Sequence, residues 1–385
     1  MMTTPTRLSP SQWTVSGVQD ISYSIEFATD ILNPSNGSLL ESLRDVRRLV
    51  VTDTTVEMLY GDKIHAYFQE NCSEYQLLVL PHGETAKAWE SVEAVIEKME
   101  IFKLDRRREP VIAIGGGVLT DIVGFACSIY RRNTPFVRVP TTLIGAVDAG
   151  VGVKTGVNFR NGKNKIGTYF AASRTIIDPG FLATVDSRHI SNGLAEILKI
   201  ALIKDEKLFD LLAEHGQEVL SAHCQDSMTG GPSREILVRA IEGMLEELEP
   251  NLWEKTLERV VDYGHTFSPT IEMAALPDLL HGEAVCIDMA LTTVMSRRRG
   301  LLSQEEQAEV LRVMTSMGLP TFHPEMTAKN LSIALADTTR HRDGLQRLPL
   351  PVGIGEAVFV NDVTETEIAE AAAELRELAA TKAAR

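Results

Sequence analysis

The stretch Pro110-Val111-Ile112-Ala113-Ile114-Gly115-Gly116-Gly117-Val118-Leu119-Thr120-Asp121 decides the fold of this chain. Val111 to Ile114 are apolar and mostly β-branched, which predicts a buried strand. The three glycines that follow permit positive φ and close approach of another group to the backbone. Val118 to Tyr130 then carries the apolar spacing of a helix. A helix beginning directly after a strand offers free N–H groups and the positive end of its dipole to a phosphate. The turn is not the G-x-G-x-x-G fingerprint. No acidic residue lies between Asp121 and Asp148, so the ribose ligand usual about 20 residues on is missing. Alone, the turn reads either as a nucleotide site or as a tight connection with no ligand.

Working outward, Arg48–Thr52 is strand-like and ends at Asp53, and Gln76–Leu80 is a second strand followed by Pro81-His82-Gly83. Ala88 to Phe102 has helical spacing, and Phe136–Val139 is a further strand ending in Pro140-Thr141-Thr142. Strand and helix alternate, which predicts a parallel sheet wound with helices. Asp53 reads equally as a ribose ligand or a helix N-cap. Glu84 and Lys87, viewed alone, read as a solvated pair. From about residue 185 strand signals become scarce. Ser191 or Asn192 is placed to cap a helix running through Lys204. Further helices are predicted at Arg234–Leu248, Glu283–Arg299, Gln304–Met317 and Thr364–Ala380. The expected division is an α/β domain over residues 1–182 and a mainly helical domain over residues 183–385, with residues 1 to about 20 an arm or irregular lead-in.

The chain has 385 residues, 44% hydrophobic and 24% charged, which suits two soluble globular domains. A formal net charge of −15 argues against a nucleic-acid partner but allows an anionic small substrate held by local cations. Cys72, Cys127, Cys224 and Cys286 show no CxxC spacing and read as reduced thiols. No apolar run is long enough to span a membrane, and the start lacks a signal core, so a cytoplasmic location is expected.

Two clusters carry chemistry. Tyr263-Gly264-His265-Thr266-Phe267 and Leu280-His281-Gly282-Glu283 set two histidines 16 residues apart, each beside a glycine at a helix edge. Glu196, with Lys199 three positions later, shares one face of a helix. Two His and one Glu suit a catalytic divalent ion with open positions, commonly zinc. A lone histidine is more often structural, so the spacing by itself is weak. Glu283 reads as an exposed helix-start carboxylate rather than a further ligand. Arg131, Arg132, Asp148, Lys154, Lys163, Asn164 and Lys165 surround the Thr141-Thr142 strand end, a density of cations and amides that suits a phosphate ester.

Together these segments resemble the sugar-phosphate cyclases, the superfamily of dehydroquinate synthase. The motifs are GGGVLTD, YRR, VPTTL, VDAGVGVKTGVN, GKNKIG, NGLAEILK, YGHTF and LHGEAV, in family order from about residue 20 to residue 365. The resemblance implies a Rossmann-like N-terminal domain binding NAD and a helical C-terminal domain carrying zinc or cobalt. It implies metal ligands Glu196, His265 and His281. It implies NAD contacts at Asp53, Glu84, Lys87, Gly115, Gly116, Gly117, Val118, Asp121, Thr141, Thr142, Lys163, Phe181, Leu182 and Thr184. Asp148, Lys154, Lys163, Asn164 and Lys199 match active-site polar positions. Arg132 matches an arginine that reaches the neighbouring subunit's site, which implies a homodimer.

Departures from dehydroquinate synthases point to the substrate. Their arginine seven residues before the first metal histidine is Glu258 here, their asparagine three before it is Asp262, and their histidine four after it is Pro269. A lysine-rich segment near the end is replaced by Thr339-Arg340-His341-Arg342-Asp343-Gly344. The expected substrate therefore lacks the carboxylate of the dehydroquinate precursor. VDAGVGVKTGVN, LEPNLWE, DYGHTFSPT and RHRDGLQRLPLP resemble the cyclases of C7-cyclitol pathways, which act on sedoheptulose 7-phosphate and form 2-epi-5-epi-valiolone. The implied mechanism is transient oxidation by NAD, phosphate elimination, reduction and intramolecular aldol closure. Lys154, Lys163, Asn164 and Arg132 would hold phosphate, Lys199 and Asp148 would orient hydroxyls or move protons, and Asp262 and His341 would read the sugar end. The competing readings are dehydroquinate synthase, a 2-epi-valiolone or gadusol-type cyclase, a metal-dependent polyol dehydrogenase, and a non-catalytic nucleotide-binding regulator.

Overall fold

The computed structural model describes residues 6–9, 12–17, 20–40, 46–160 and 162–383. At the start, β1 (Thr6–Ser9) pairs antiparallel with β2 (Gln12–Thr14), so these residues are a hairpin rather than an irregular lead-in. Residues 1–5, 10, 11, 18 and 19 of the arm lie outside the described residues. The α/β part then runs β3 (Ser24–Phe27), β4 (Val46–Asp53), α1 (Thr54–Asn71), β5 (Cys72–Leu80), α2 (Trp89–Phe102), β6 (Val111–Gly115), α3 (Gly117–Ile129) and β7 (Phe136–Pro140). A hairpin of β8 (Lys154–Phe159) and β9 (Gly162–Tyr169) precedes the last strand, β10 (Arg174–Ile177).

These strands form one parallel six-stranded sheet in the order β3-β10-β7-β6-β4-β5. Every position of β6 is buried, because helices cover both faces. Val111 and Ala113 join the core formed with α2 and α3, through Val92, Val95 and Val123. Ile112 and Ile114 join the core formed with α1, through Ile64 and Phe68. The uniform apolarity of this run is thus the signature of a strand sandwiched between helical layers. From β4 the chain moves to β5 on one side, then returns to place β6 on the other side. The crevice at the carboxyl ends of β4 and β6 is therefore a topological switch point, where open α/β sheets take their ligands.

The remainder is mainly helical: α4 (Ser187–Lys204), α5 (Glu206–Ser221), α6 (Pro232–Leu248), α7 (Ser268–Ala274), α8 (His281–Arg298), α9 (Gln304–Ser316) and α10 (Ala328–His341), then the pair β11 (Leu348–Pro351) and β12 (Ala357–Val360), and finally α11 (Glu365–Ala383). The cap of α4 is Asp186, whose carboxylate accepts from the N–H of Arg188. Ser191 and Asn192 are not caps; they lie inside the helix and serve packing. Ser191 donates to the carbonyl of Met317 (2.6 Å), and Asn192 Oδ1 accepts from the N–H of Gly282 (2.5 Å).

That last bond fixes the start of α8 against α4. A Cβ on Gly282 would lie 2.0 Å from the carbonyl oxygen of Asn192, so only glycine allows this approach. Helix α8 is buried from Gly282 to Ser296. It is buried on every side because it runs through the middle of the helical part, and its buried Asp288, Thr292 and Thr293 bond to backbone groups. Among the described residues, no helix is long and apolar enough to cross a membrane.

Candidate active site

Glu196 stands one helical turn beyond Asn192 on α4, so the α4–α8 contact brings it to His281, the first residue of α8. His281 Nε2 lies 3.4 Å from Glu196 Oε1, and His265 Nε2, from the turn before α7, lies 3.8 Å from the same oxygen. One ligand atom from each of the three residues falls within 4.8 Å of the others. Both imidazoles are oriented from behind. His265 Nδ1 donates to the carbonyl of Tyr263 (3.0 Å), and His281 Nδ1 donates to Glu272 Oε2 (2.9 Å). Both Nε2 atoms are thereby left to act as ligands.

The residues fit a divalent cation. Glu196 is fully buried; Lys199 pairs with its Oε2 (2.6 Å), while Oε1, which both imidazoles face, has no hydrogen-bond partner among the described residues. A buried carboxylate oxygen left open between two imidazole nitrogens suits a bound cation. Burial would raise its carboxyl, but Lys199, His281 and His265 outweigh burial and hold it well below the usual range. Burial lowers His265 to about 4, favouring the neutral imidazole that a metal requires. A set of two nitrogens and one oxygen, with open positions, is that of a catalytic site.

Two lysines flank the cluster. Lys199 lies 2.6 Å from Glu196 Oε2 and 3.4 Å from Asp148 Oδ1. It is buried, and these two carboxylates overcome burial and raise its ammonium above the ordinary lysine range. Lys163, from β9, reaches Glu272 Oε1 (2.5 Å) and lies 3.0 Å from His281 Nδ1. Glu272 thus anchors both the histidine and the lysine, and these two partners hold its carboxyl at about 2 against the effect of burial. Glu272 went unnoticed in the sequence. Its spacing from His265, on the helix that His265 leads into, is the signal that could have found it.

A second charged network forms the adjoining wall. Glu254 takes an ion pair from Lys154 at the start of β8 and another from Arg259, while Tyr169 donates to its second oxygen (3.0 Å). Arg259 also grips Asp262, with Nε 3.0 Å from Oδ2 and Nη2 2.6 Å from Oδ1. Arg342 approaches Asp262 Oδ2 (3.2 Å) and is itself fixed by donating to the carbonyls of Gln346 and Arg347 (3.0 and 2.8 Å). Burial opposes the charge of Asp262, but Arg259, Arg342 and Lys154 keep its carboxyl below the usual range. The Lys154 side chain is 58% exposed, yet loss of water around its ammonium and the nearby Arg259 lower it to about 8. Glu254 and Arg342 lie in the motifs LEPNLWE and RHRDGLQRLPLP, where nothing in the sequence singles them out as site residues, and Arg259 lies outside those motifs.

The expected nucleotide residues gather at the switch point. Asp53 ends β4 and caps α1, accepting from Thr55 and Val56, while its second oxygen faces Gly115. The N–H of Thr141 donates to the carbonyl of Gly115 (3.0 Å), and Thr142 packs on Gly116. Gly116 caps α3 without a side chain, leaving the first N–H groups of that helix open. Lys87 is buried and bound to Asp121 (2.7 Å), not part of a solvated pair with Glu84. Glu84 accepts from Asn158 (2.7 Å), which ties the β8–β9 hairpin to this crevice. A Cβ on Gly117 would lie 3.1 Å from that of Ala149, the neighbour of Asp148. The glycine turn and the metal cluster are therefore linked through Asp148 and Lys199. Phe181 and Leu182 are buried in the core, so that segment presents its backbone, Ala183 and Thr184, which bonds Tyr60 (2.7 Å).

Some expected site residues are not brought together. His341 is exposed at the last turn of α10, 3.7 Å from Asp337, while its neighbour Arg342 turns inward. Asn164 is exposed, and Arg132 is exposed after α3 with positive φ. Glu258 is half exposed and lies 4.0 Å from Arg347, so the acid facing this wall is Asp262. Glu283 is buried rather than exposed. It closes the start of α8 by accepting from the N–H of Leu280 (2.9 Å) and pairs with Arg188 (2.6 Å), which takes it away from the metal cluster.

Comparison with known proteins adds to this geometry. The family profile of the 3-dehydroquinate synthase N-terminal region matches residues 77–192, and that of the C-terminal region matches residues 193–340. A 2-epi-5-epi-valiolone synthase of Streptomyces hygroscopicus subsp. jinggangensis (strain 5008) is 54% identical over 371 residues, covering 95% of this chain and 90% of that protein. A demethyl-4-deoxygadusol synthase of Trichormus variabilis is 40% identical, covering 94% and 90%. Among solved structures, ValA (2-epi-5-epi-valiolone synthase) from the same Streptomyces, with NAD+ and Zn2+ bound, superposes with a TM-score of 0.91 at 54% identity, covering 95% of this chain and 100% of that one.

Proposed function

The chain belongs to the 3-dehydroquinate synthase family, and from that premise we propose that it is a sugar-phosphate cyclase converting sedoheptulose 7-phosphate into 2-epi-5-epi-valiolone with release of phosphate. The observation that carries this reading is the joining of the Glu196–His265–His281 donor set to the glycine turn through Lys199 and Asp148. A site so built serves a reaction that needs a divalent ion and a nucleotide at one substrate.

NAD, held at the carboxyl ends of β4 and β6, would supply a hydride acceptor that returns its hydride within the same turnover, and a divalent ion on Glu196, His265 and His281 would polarise a substrate oxygen. The cofactors of the 54% identical structure support both assignments. Lys154 and Lys163 supply cations to the substrate's phosphate. Lys199 stays protonated between two carboxylates and donates hydrogen bonds to substrate oxygens, while Asp148 accepts from a hydroxyl. Asn164 adds a further phosphate contact, and Arg132, exposed on the single chain, reaches the phosphate site of the neighbouring subunit in a homodimer. The active site lies between an α/β domain ending near residue 182 and the helical domain that follows. Among the described residues Cys72, Cys127, Cys224 and Cys286 form no disulfide, in keeping with a cytoplasmic protein. Asp262, lying in a fork of two arginines, argues against a substrate with a terminal carboxylate. No role is assigned to His341.

The direct test is turnover with sedoheptulose 7-phosphate and NAD. Phosphate should appear continuously with no net absorbance from NADH. Stoichiometric NADH without phosphate would favour the dehydrogenase reading instead.

A further inference from the structure

Arg259 and Arg342 converge on one point from different parts of the chain. Arg259 comes from the loop before α7 and Arg342 from the end of α10. Between them they direct three N–H groups at Asp262, with contacts of 2.6, 2.7, 3.0 and 3.2 Å. Each guanidinium has a second anchor: Glu254 for Arg259, and the carbonyls of Gln346 and Arg347 for Arg342. The fork is therefore held by groups other than its occupant. Arg259 meets both oxygens of Asp262 through Nε and Nη2, the geometry that suits a planar two-oxygen anion, and Arg342, 7% exposed, adds one Nη2 to Oδ2. Lys154 shares Glu254 with Arg259, which sets the fork in the wall next to the phosphate-binding lysine.

We infer that Asp262 is an internal carboxylate filling an anion site made by Arg259 and Arg342, so that the part of the substrate meeting this wall must carry hydroxyls and no carboxylate. A carboxylate-bearing sugar would find the fork occupied and face a fixed negative charge at short range. A neutral polyol end meets the lone pairs of Asp262 that the arginines leave free. Arg259 and Arg342 are positioning residues here, acting through Asp262. The inference rests on the cyclase reading for the identity of the substrate, but not for the existence of the anion site.

Removing the occupant tests it. In Asp262→Gly, formate or acetate should refill the fork. The midpoint of thermal unfolding should rise saturably with either anion against chloride at equal ionic strength, while the wild-type protein shows no such rise. With sedoheptulose 7-phosphate, kcat/KM should fall in the variant and recover about tenfold or more with formate, the size expected for restored charge-assisted hydrogen bonds. A sugar phosphate ending in a carboxylate should compete in the variant and not in the wild type. Asp262→Ser carries the same measurements if the glycine variant does not fold. Folding of either variant only in formate or acetate would support the inference, and failure of both in every anion would count against it. A folded variant indifferent to small carboxylates, or one with wild-type kinetics and no added anion, overturns it. The thermal shift needs no turnover. A shift in a protein inactive on sedoheptulose 7-phosphate would sink the cyclase reading alone, and an active wild type with no shift in the variant would sink the inference alone.

Discussion

Glu272 holds Lys163 and His281 on its two oxygens, and through His281 it sets the angle at which a metal would be met. Glu272→Gln keeps the shape and removes the charge. Metal affinity should fall about 10–100-fold, the usual cost of losing a partner behind a ligating histidine, with the fold retained. Titration with zinc or cobalt of the stripped protein reads this directly, and unchanged affinity would show that His281 is oriented by something else. Lys154 sets a pH limit. Its ammonium is lowered to about 8, so the cation offered to a phosphate is present below that pH and is lost as pH rises through it. The kcat/KM profile should bend down on the alkaline side near pH 8, and Lys154→Arg should push that limb upward because a guanidinium stays charged. An unmoved limb would place the titration on another group.

The same residues show what sequence reading reaches at this scale. Glu196, His265 and His281 stand in short runs with glycines and an adjacent lysine, and that local pattern marks them. Glu254, Arg259, Glu272 and Arg342 look like surface charges on helices and loops. Their partners lie 100, 109 and 80 residues away or in a hairpin whose turn the sequence does not advertise, as for Lys154 with Glu254, Lys163 with Glu272 and Asp262 with Arg342. Only the packing reveals that they are paired and largely buried.

At the scale of elements, the site depends on how α4 and α8 meet. Gly282 lets the two backbones touch, and the contact places Glu196 beside His281. Gly282→Ala should force α8 away from Asn192, costing about 1–3 kcal/mol as overpacking does, and should lower bound metal together with the unfolding temperature. Loss of stability with full metal retention would separate the two and contradict this account of the contact. The long helices α6, α8, α9 and α11 are legible from apolar spacing. Asp186 was passed over as the cap of α4 because Ser191 and Asn192 also have capping side chains, and burial has given those residues to interhelical bonds instead. The hairpin of β8 and β9 was hidden by its lysines and glycines, which are there for the site rather than for strand propensity.

For the whole molecule, the alternation of strand and helix was enough to give the parallel sheet, and the change of texture near residue 185 gave the helical part. What the sequence could not give is how the two approach, since that is written in single contacts such as Lys163 with Glu272 and Asn158 with Glu84. A further approach, between two copies, is the homodimer proposed above. If Arg132 serves the partner's site, mixing inactive Arg132→Ala with inactive His265→Ala should restore part of the activity through hybrid dimers. No recovery after verified subunit exchange would return Arg132 to its own chain or to the solvent.

The central claim is that a metal site and a nucleotide crevice jointly cyclise a sugar phosphate without consuming the nucleotide. The most direct measurement is NMR of the product formed from sedoheptulose 7-phosphate with NAD and zinc or cobalt. The account requires a carbocyclic ketone with the configuration of 2-epi-5-epi-valiolone, formed in step with free phosphate. An open-chain oxidised sugar accompanied by NADH, or unchanged substrate from a metal-loaded protein, would contradict it.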